Sequence, residues 1–219
     1  MENTQNLPAD SVYIALDIDG VLHSLLTDYE PEWKENLRVG NWTAAMFHAA
    51  VFEKFLNMPA EELEVEILGK AHMVGYMLSQ VPLLEAVLRR HPAARIVIAS
   101  DWRRTMSLDL VCSLLPPDVA QRVVGATKVV PEQDEKGHTI PGIRGKLMRE
   151  WMKENALPDD TPWLAIDDGA ILWRGEEERL IHTHRIKGLQ HKDALELDRQ
   201  LSIMSAAQRA VAAAPAEFA

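Results

Sequence analysis

Cysteine is almost missing from this sequence. Cys112 is the only one among 219 residues, so no intrachain disulfide can form and no cysteine-based zinc site can be assembled. Long apolar runs are missing too. Nowhere do roughly 18 uncharged apolar residues follow one another, which removes a transmembrane helix from consideration. Residues 1–10 lack the basic stretch and apolar core of an export signal. A soluble, unexported protein of the reducing cytoplasm is the expectation. Basic residues are in deficit as well, with 23 Lys and Arg against 33 Asp and Glu, for a formal charge of -10. That argues against a broad basic surface gripping nucleic acid through its phosphates, although a strand end could still enter a small site.

What is present is an alternation of short apolar runs and amphipathic stretches. Val12-Tyr13-Ile14-Ala15-Leu16 is rich in β-formers, ends in Asp17 and is stopped by Gly20, which reads as a strand buried on both faces. Leu83, Leu84, Val87 and Leu88 recur at helical spacing before His91-Pro92, and Ile96-Val97-Ile98-Ala99 follows as a second buried strand. Leu108, Leu110, Val111, Leu114 and Leu115 suit a helix stopped by Pro116-Pro117, with a third strand over 122–126. Leu147, Met148, Trp151 and Met152 mark one face of a helix starting near Gly145, and Trp163-Leu164-Ala165-Ile166 runs as a fourth strand into Asp167-Asp168. A fifth is expected near Leu180 to Thr183. Such alternation predicts an α/β fold, a Rossmann-like parallel sheet of about five strands with helices on both faces.

The core is expected to span residues 11–22 and 81–205, with 206–219 as an Ala-rich tail. Residues 23–80 break the alternation and read as a small, mostly helical insertion after the first strand. Its Ala44, Phe47, Val51 and Phe55 form an apolar stripe at helical spacing that needs a partner surface. The insertion leaves the core just after the Asp17 loop, so a lid over the mouth of that site is the expectation.

Asp17 and Asp19 lie two apart at the carboxyl end of a buried strand, so in extended geometry both side chains point to one side. Adjacent carboxylates repel and persist together when a cation, a shared proton or donor groups offset the repulsion. Asp167-Asp168 repeats the pattern at another strand end, and in open parallel sheets the functional crevice lies at that edge. Each pair alone could be an acidic turn or helix cap. Two pairs on one edge of one sheet point to Mg²⁺. Ser100 ends the second strand and Lys146 opens the helix after the third, where a hydroxyl and an ammonium would suit phosphate; singly, they read as a cap and a solvated cation.

In that order the residues resemble the four motifs of the haloacid dehalogenase (HAD) superfamily. Leu16-Asp17-Ile18-Asp19-Gly20-Val21-Leu22 is similar to the first, Ser100 to the second, Lys146 to the third and Ile166-Asp167-Asp168 to the fourth. Val97-Ile98-Ala99-Ser100-Asp101-Trp102-Arg103 looks closer still to a subset found alone or joined to RNA-repair ("Swiss Army Knife") proteins. The resemblance implies a HAD-like core and a phosphatase in which Asp17 attacks phosphorus to form an aspartyl-phosphate. Asp19 would protonate the leaving oxygen and then activate water. It further implies Mg²⁺ bound by Asp17, Asp167 and the backbone carbonyl of Asp19, with Asp168 in a water-mediated role, and Ser100 and Lys146 stabilising the transferring group.

A phosphorylated small molecule is the expected partner, with a nucleic-acid end as the alternative and no membrane. Arg103 and Arg104 could fork onto a substrate anion, though surface solvation explains them at least as well, and Trp33, Trp42 and Trp102 could stack on a base or sugar, though packing is the commoner fate of such rings. His182 and His184 alternate on a strand but lack a third ligand, so no metal is expected there. A receiver-like signalling domain would place an acid at the end of the third strand, where the sequence has Val124-Gly125-Ala126-Thr127. A catalytically inactive binding domain is disfavoured because every motif position holds a competent residue.

Overall fold

A computed structural model describes residues 7, 10–23, 78–185 and 187–213. The apolar run after Ser11 extends as β1 (Val12–Leu16), every residue of which is buried. Helix α1 (Val81–Leu88), with Pro82 in its first turn, leads into β2 (Ala94–Ile98). A 3₁₀ turn over Asp101–Arg104 and the short helices α2 (Leu108–Ser113) and α3 (Pro117–Ala120) precede β3 (Val123–Ala126). Then come α4 (Ile143–Glu154), β4 (Trp163–Asp167), β5 (Leu180–His182) and the long α5 (His191–Ala213).

The sheet order is β3-β2-β1-β4-β5, and every pairing is parallel. Strand β1 is central: Ala15 lies opposite Val97 of β2 on one side and Ala165 of β4 on the other. The chain winds outward from β1 through β2 to β3, then returns across β1 to build β4 and β5. The reversal places a crevice outside the carboxyl ends of β1 and β4.

Side chains alternate between faces along a strand, so β1 supplies two cores. Val12, Ile14 and Leu16 pack with Ile96, Ile98, Leu164 and Ile166 beneath apolar residues of α1, α2, α3 and α5. Tyr13 and Ala15 pack with Val97, Trp163 and Ala165 against Met148, Trp151 and Met152 of α4 and against Trp173. Each fully buried Leu, Ile or Val is worth about 1.5–3 kcal/mol, so burial on both faces fixes β1 as the rigid strand from which the candidate site projects. The five expected strands are all present, and β5 is only three residues long. Helix α4 starts at Ile143, two residues before the expected Gly145. The terminal helix continues through Ala213, beyond the expected core boundary at 205. Residues 24–77, with the apolar stripe, the expected lid, Trp33 and Trp42, lie outside the described residues.

Candidate active site

The backbone of Asp17 still belongs to the sheet, its N–H donating to the Ile166 carbonyl at 3.0 Å. Beyond it the chain turns sharply, with the Val21 and Leu22 N–H groups both donating to the Ile18 carbonyl. Gly20 makes that turn possible. Its φ of +72° is left-handed, and a Cβ there would stand 2.6 Å from Asp168 Cγ, so both conformation and space demand glycine. The turn therefore presses the loop after β1 against the acidic end of β4.

Asp17 Oδ1 accepts from the Ile18 N–H at 2.7 Å, and Asp17 Oδ2 accepts from Arg144 Nη1 at 2.6 Å. At the end of β4, Asp167 Oδ1 accepts from the Gly169 N–H at 2.7 Å. Asp167 Oδ2 accepts from Trp173 Nε1 at 2.8 Å and from the same Arg144 Nη1 at 2.5 Å. One oxygen each from Asp17, Asp167 and Asp168 lies within 4.8 Å of the others, and Arg185 Nε approaches Asp168 at 3.4 Å from the solvent side.

Arg144 is the residue that sequence reasoning missed. Its side chain is only 4% exposed and reaches Asp17, Asp167 and, at 3.1–3.2 Å, both carboxylate oxygens of Glu132. Arg103 also donates to Glu132, at 3.2 Å, and to the Ser100 carbonyl, so it braces the cluster instead of pointing into solvent. Arg104 pairs with Asp101 at 2.6 Å.

Lys146 is not brought to the cluster. Its side chain is 71% exposed, stands 3.8 Å from Glu150 and lines a separate depression with Arg149 and Lys153. The reason is helical phase. Successive residues turn by about 100°, so positions 144 and 146 face nearly opposite directions, and Arg144 continues the buried face of Leu147, Met148, Trp151 and Met152. Ser100 stands where expected, fully buried beside Asp17, whose charged form its hydroxyl favours.

Burial pushes the Asp17 carboxyl above the usual carboxylate range, and Arg144 and Ser100 oppose that shift. Asp167 is pushed up to about 7, first by burial and then by the charge of Asp17. Asp168 is raised for the same two reasons. Burial works against the charge on Arg144, but the surrounding carboxylates outweigh it and hold its proton more firmly than usual. The cluster therefore demands positive charge, and its hard oxygen donors fit Mg²⁺. Asp17, Asp167 and Asp168 could hold that ion.

Over the cluster opens a cavity of about 980 Å³, large enough for a phosphorylated molecule of drug size. Asp17, Asp19 and Arg144 line it together with a more basic wall that includes His182, His184, Arg185 and Lys192. His182 pairs with the backbone carbonyl of Asp168 at 3.0 Å, a contact that fixes the ring beside the site. Asp17, Asp19, Ser100, Asp167 and Asp168 thus meet at the carboxyl edge of the sheet, as order and spacing predict. Glu132 and Arg144 join them without any sequence signal beyond their charge.

No helix among the described residues is long and apolar enough to cross a membrane. Comparison with curated proteins and with solved structures gave no match. A family model described as the HAD domain in Swiss Army Knife RNA repair proteins matches residues 13–194. That span includes the whole sheet except Val12 and every residue of the acidic cluster, and the chain belongs to this HAD family.

Proposed function

We propose that the chain is a Mg²⁺-dependent phosphomonoester hydrolase working through an aspartyl-phosphate on Asp17. One observation carries the reading: Asp17 leaves the central strand with an oxygen within 4.8 Å of oxygens from Asp167 and Asp168, in a cavity that Asp19 also lines. Asp17 attacks phosphorus, and Asp19 gives a proton to the leaving oxygen and later takes one from water. Arg144 orients Asp17 and offsets its charge, the electrostatic task the sequence suggested for Lys146. The Ser100 hydroxyl steadies the nucleophile. Bound to the three aspartates, Mg²⁺ would supply Lewis acidity toward a phosphoryl oxygen.

The test is phosphate release from p-nitrophenyl phosphate with and without Mg²⁺. Turnover that needs the metal and falls at least about 10³-fold in Asp17→Asn is expected, because an amide lacks the charge and nucleophilicity to form the intermediate. Equal turnover by the two proteins would remove Asp17 from this role.

A second reading, action on the phosphorylated ends of RNA, is favoured by the description of the family. The acidic charge of -10 limits it to a terminal nucleotide entering the cavity. Faster release from an end-phosphorylated oligoribonucleotide than from the mononucleotide would favour it over small-molecule hydrolysis.

A further inference from the structure

On the β5 side the cavity over Asp17 is lined by two cations, Arg185 and Lys192, and both come from a segment tied to the loop of the nucleophile. Thr183 opens that segment. Its N–H donates to the Asp167 carbonyl at 3.0 Å and its buried hydroxyl to the Gly20 carbonyl at 2.8 Å. The Lys187 and Gly188 N–H groups then close a turn on the His184 carbonyl, and the Leu189 N–H donates to the Val21 carbonyl at 2.7 Å. Gly188 has a φ of +62°, and a Cβ there would stand 2.7 Å from that same Val21 oxygen. Arg185 and Lys192 thus ride on backbone fixed both to the end of β4 and to the loop after β1.

The fold makes little use of either charge. Arg185 Nε lies 3.4 Å from Asp168 Oδ2, longer than a normal hydrogen bond, and the side chain is 64% exposed. Lys192 stands in the first turn of α5, where a cation meets the positive end of the helix dipole and adds nothing to helix stability. Its ammonium is 3.9 Å from Asp193 Oδ1, while Asp193 Oδ2 caps the helix by accepting from the Gln190 N–H at 2.9 Å. Toward β2 and β3 the lining differs: Asp101 and Glu132 stand there, each paired with an arginine. An anion reaching out from the cluster therefore meets carboxylates on one side and two cations on the other.

We infer that Arg185 and Lys192 hold a second phosphate, so that the substrate is a bisphosphate. One phosphomonoester lies at Asp17 for hydrolysis, and another phosphate of the same molecule is held on the β5 side. This rests on the phosphohydrolase reading of the site. A guanidinium fork and an ammonium both match phosphate oxygens, and about 980 Å³ of cavity is far more than one phosphoryl group fills. The held phosphate undergoes no bond change. It fixes the other end of the molecule against Asp17 and leaves on the product alcohol. A small-molecule bisphosphate and an RNA end, whose terminal phosphate is followed by a phosphodiester, offer the same chemistry.

The probes are adenosine 3′,5′-bisphosphate against the adenosine 3′- and 5′-monophosphates, and fructose 1,6-bisphosphate against fructose 6-phosphate. In at least one set kcat/KM should favour the bisphosphate by about 10- to 100-fold, the range for one or two charge-assisted hydrogen bonds. The preference should shrink as salt is raised. Arg185→Met and Lys192→Met should each reduce it, and the double variant should bring the ratio within about twofold of unity, while Arg185→Lys keeps part of it. A merely structural role would lower turnover of bisphosphate and monophosphate alike and leave the ratio standing, and that result would overturn the inference. So would the absence of any preference in the wild type.

A 3′-phosphorylated adenosine dinucleotide distinguishes the two sources: a preference it shares assigns the second site to an RNA end, and a preference confined to the bisphosphates assigns it to a small molecule. Calorimetry on the Asp17→Asn protein reads the same contrast without turnover. Tighter binding of the bisphosphate, lost when Arg185→Met and Lys192→Met are added, is expected, and equal affinities would overturn the second site alone. Phosphate release that survives Asp17→Asn would instead overturn the reading of the active site.

Discussion

Replacing Arg144 with Met keeps most of the buried stem and removes the guanidinium. The side chain is 4% exposed and serves carboxylates of Asp17, Asp167 and Glu132 at 2.5–3.2 Å. Breaking a buried ion pair by deleting one partner costs about 3–5 kcal/mol, because the remaining charge is left desolvated. For a protein of this size that corresponds to a melting temperature lower by about 6–20 °C. The sign of the pH dependence follows from Asp17 and Asp167. Burial already raises both carboxyls, Asp167 to about 7, and losing Arg144 raises them further. A group whose folded pKa lies above its unfolded value, about 4 for aspartate, contributes stability that is present at low pH and lost as pH rises through the folded value. The Arg144→Met protein should therefore lie closer to the wild type at pH 5 than at pH 8. Added Mg²⁺ should narrow the gap at pH 8, since a cation held by the same carboxylates replaces part of the lost charge. Melting curves at the two pH values, with and without Mg²⁺, decide the matter. A variant within about 1 °C of the wild type under every condition would refute the claim that Arg144 holds the cluster together.

Gly20→Ala should lower stability by about 1–3 kcal/mol, from the left-handed backbone and from a Cβ placed 2.6 Å from Asp168 Cγ. It should also raise the Mg²⁺ concentration needed for half-maximal turnover, because Asp168 must shift; an unchanged Mg²⁺ requirement would separate Asp168 from the metal. At the other end of the sheet, Asp198 Oδ1 accepts from His91 Nε2 at 2.7 Å and Arg90 Nε at 2.9 Å, and these contacts, His91 first, hold its carboxyl below the usual range. A depressed pKa contributes stability above the unfolded value that is lost as pH falls. Asp198→Asn should therefore cost about 0.5–1 kcal/mol near neutrality and progressively less as pH falls below about 4 and through the lowered folded value, and a gap in melting temperature that does not shrink in acid would refute the pairing.

Those elements that depend on local pattern were legible in the sequence. β1 and β4 are unbroken apolar runs ending in aspartate, and such runs fit only strands covered on both faces. Their parallel pairing and shared carboxyl edge follow from crossover handedness, which is why Asp17, Asp19, Ser100 and Asp167 could be placed together before any geometry. Helix α4 shows where local pattern fails. It begins after Gly142, at φ +74°, with no side-chain cap, so the Ser, Thr, Asp or Asn that usually marks a helix start is missing. The apolar face of Leu147, Met148, Trp151 and Met152 is buried as the spacing predicts, and Arg144, three and four residues before the first two, continues it, whereas Lys146 lies off it.

Glu132, Arg144 and Trp102 were illegible for a different reason: their roles depend on partners far away in sequence. Arg144 lies 127 residues from Asp17, and Trp102, whose indole N–H donates to Asp19, lies 83 from it. An arginine is ordinarily solvated and a tryptophan ordinarily packed, so neither signals a role until the fold is closed. Once it is closed, the charge balance becomes informative. Asp17, Asp167, Asp168 and Glu132 face Arg144 and Arg103 in the buried cluster, with Arg185 reaching only Asp168 from a largely exposed position. Among the described residues carboxylates outnumber buried guanidiniums, and burial raises the proton affinity of both Asp17 and Asp167. A proton or a divalent cation can relieve that imbalance, and the two compete for the same oxygens. Protonated Asp17 would be a poor nucleophile, whereas a cation beside it leaves a lone pair for phosphorus. Arg144 therefore supplies enough charge to keep the fold intact but too little to neutralise the site, and the remainder is what makes the cluster a receptor for Mg²⁺ in the proposed reaction.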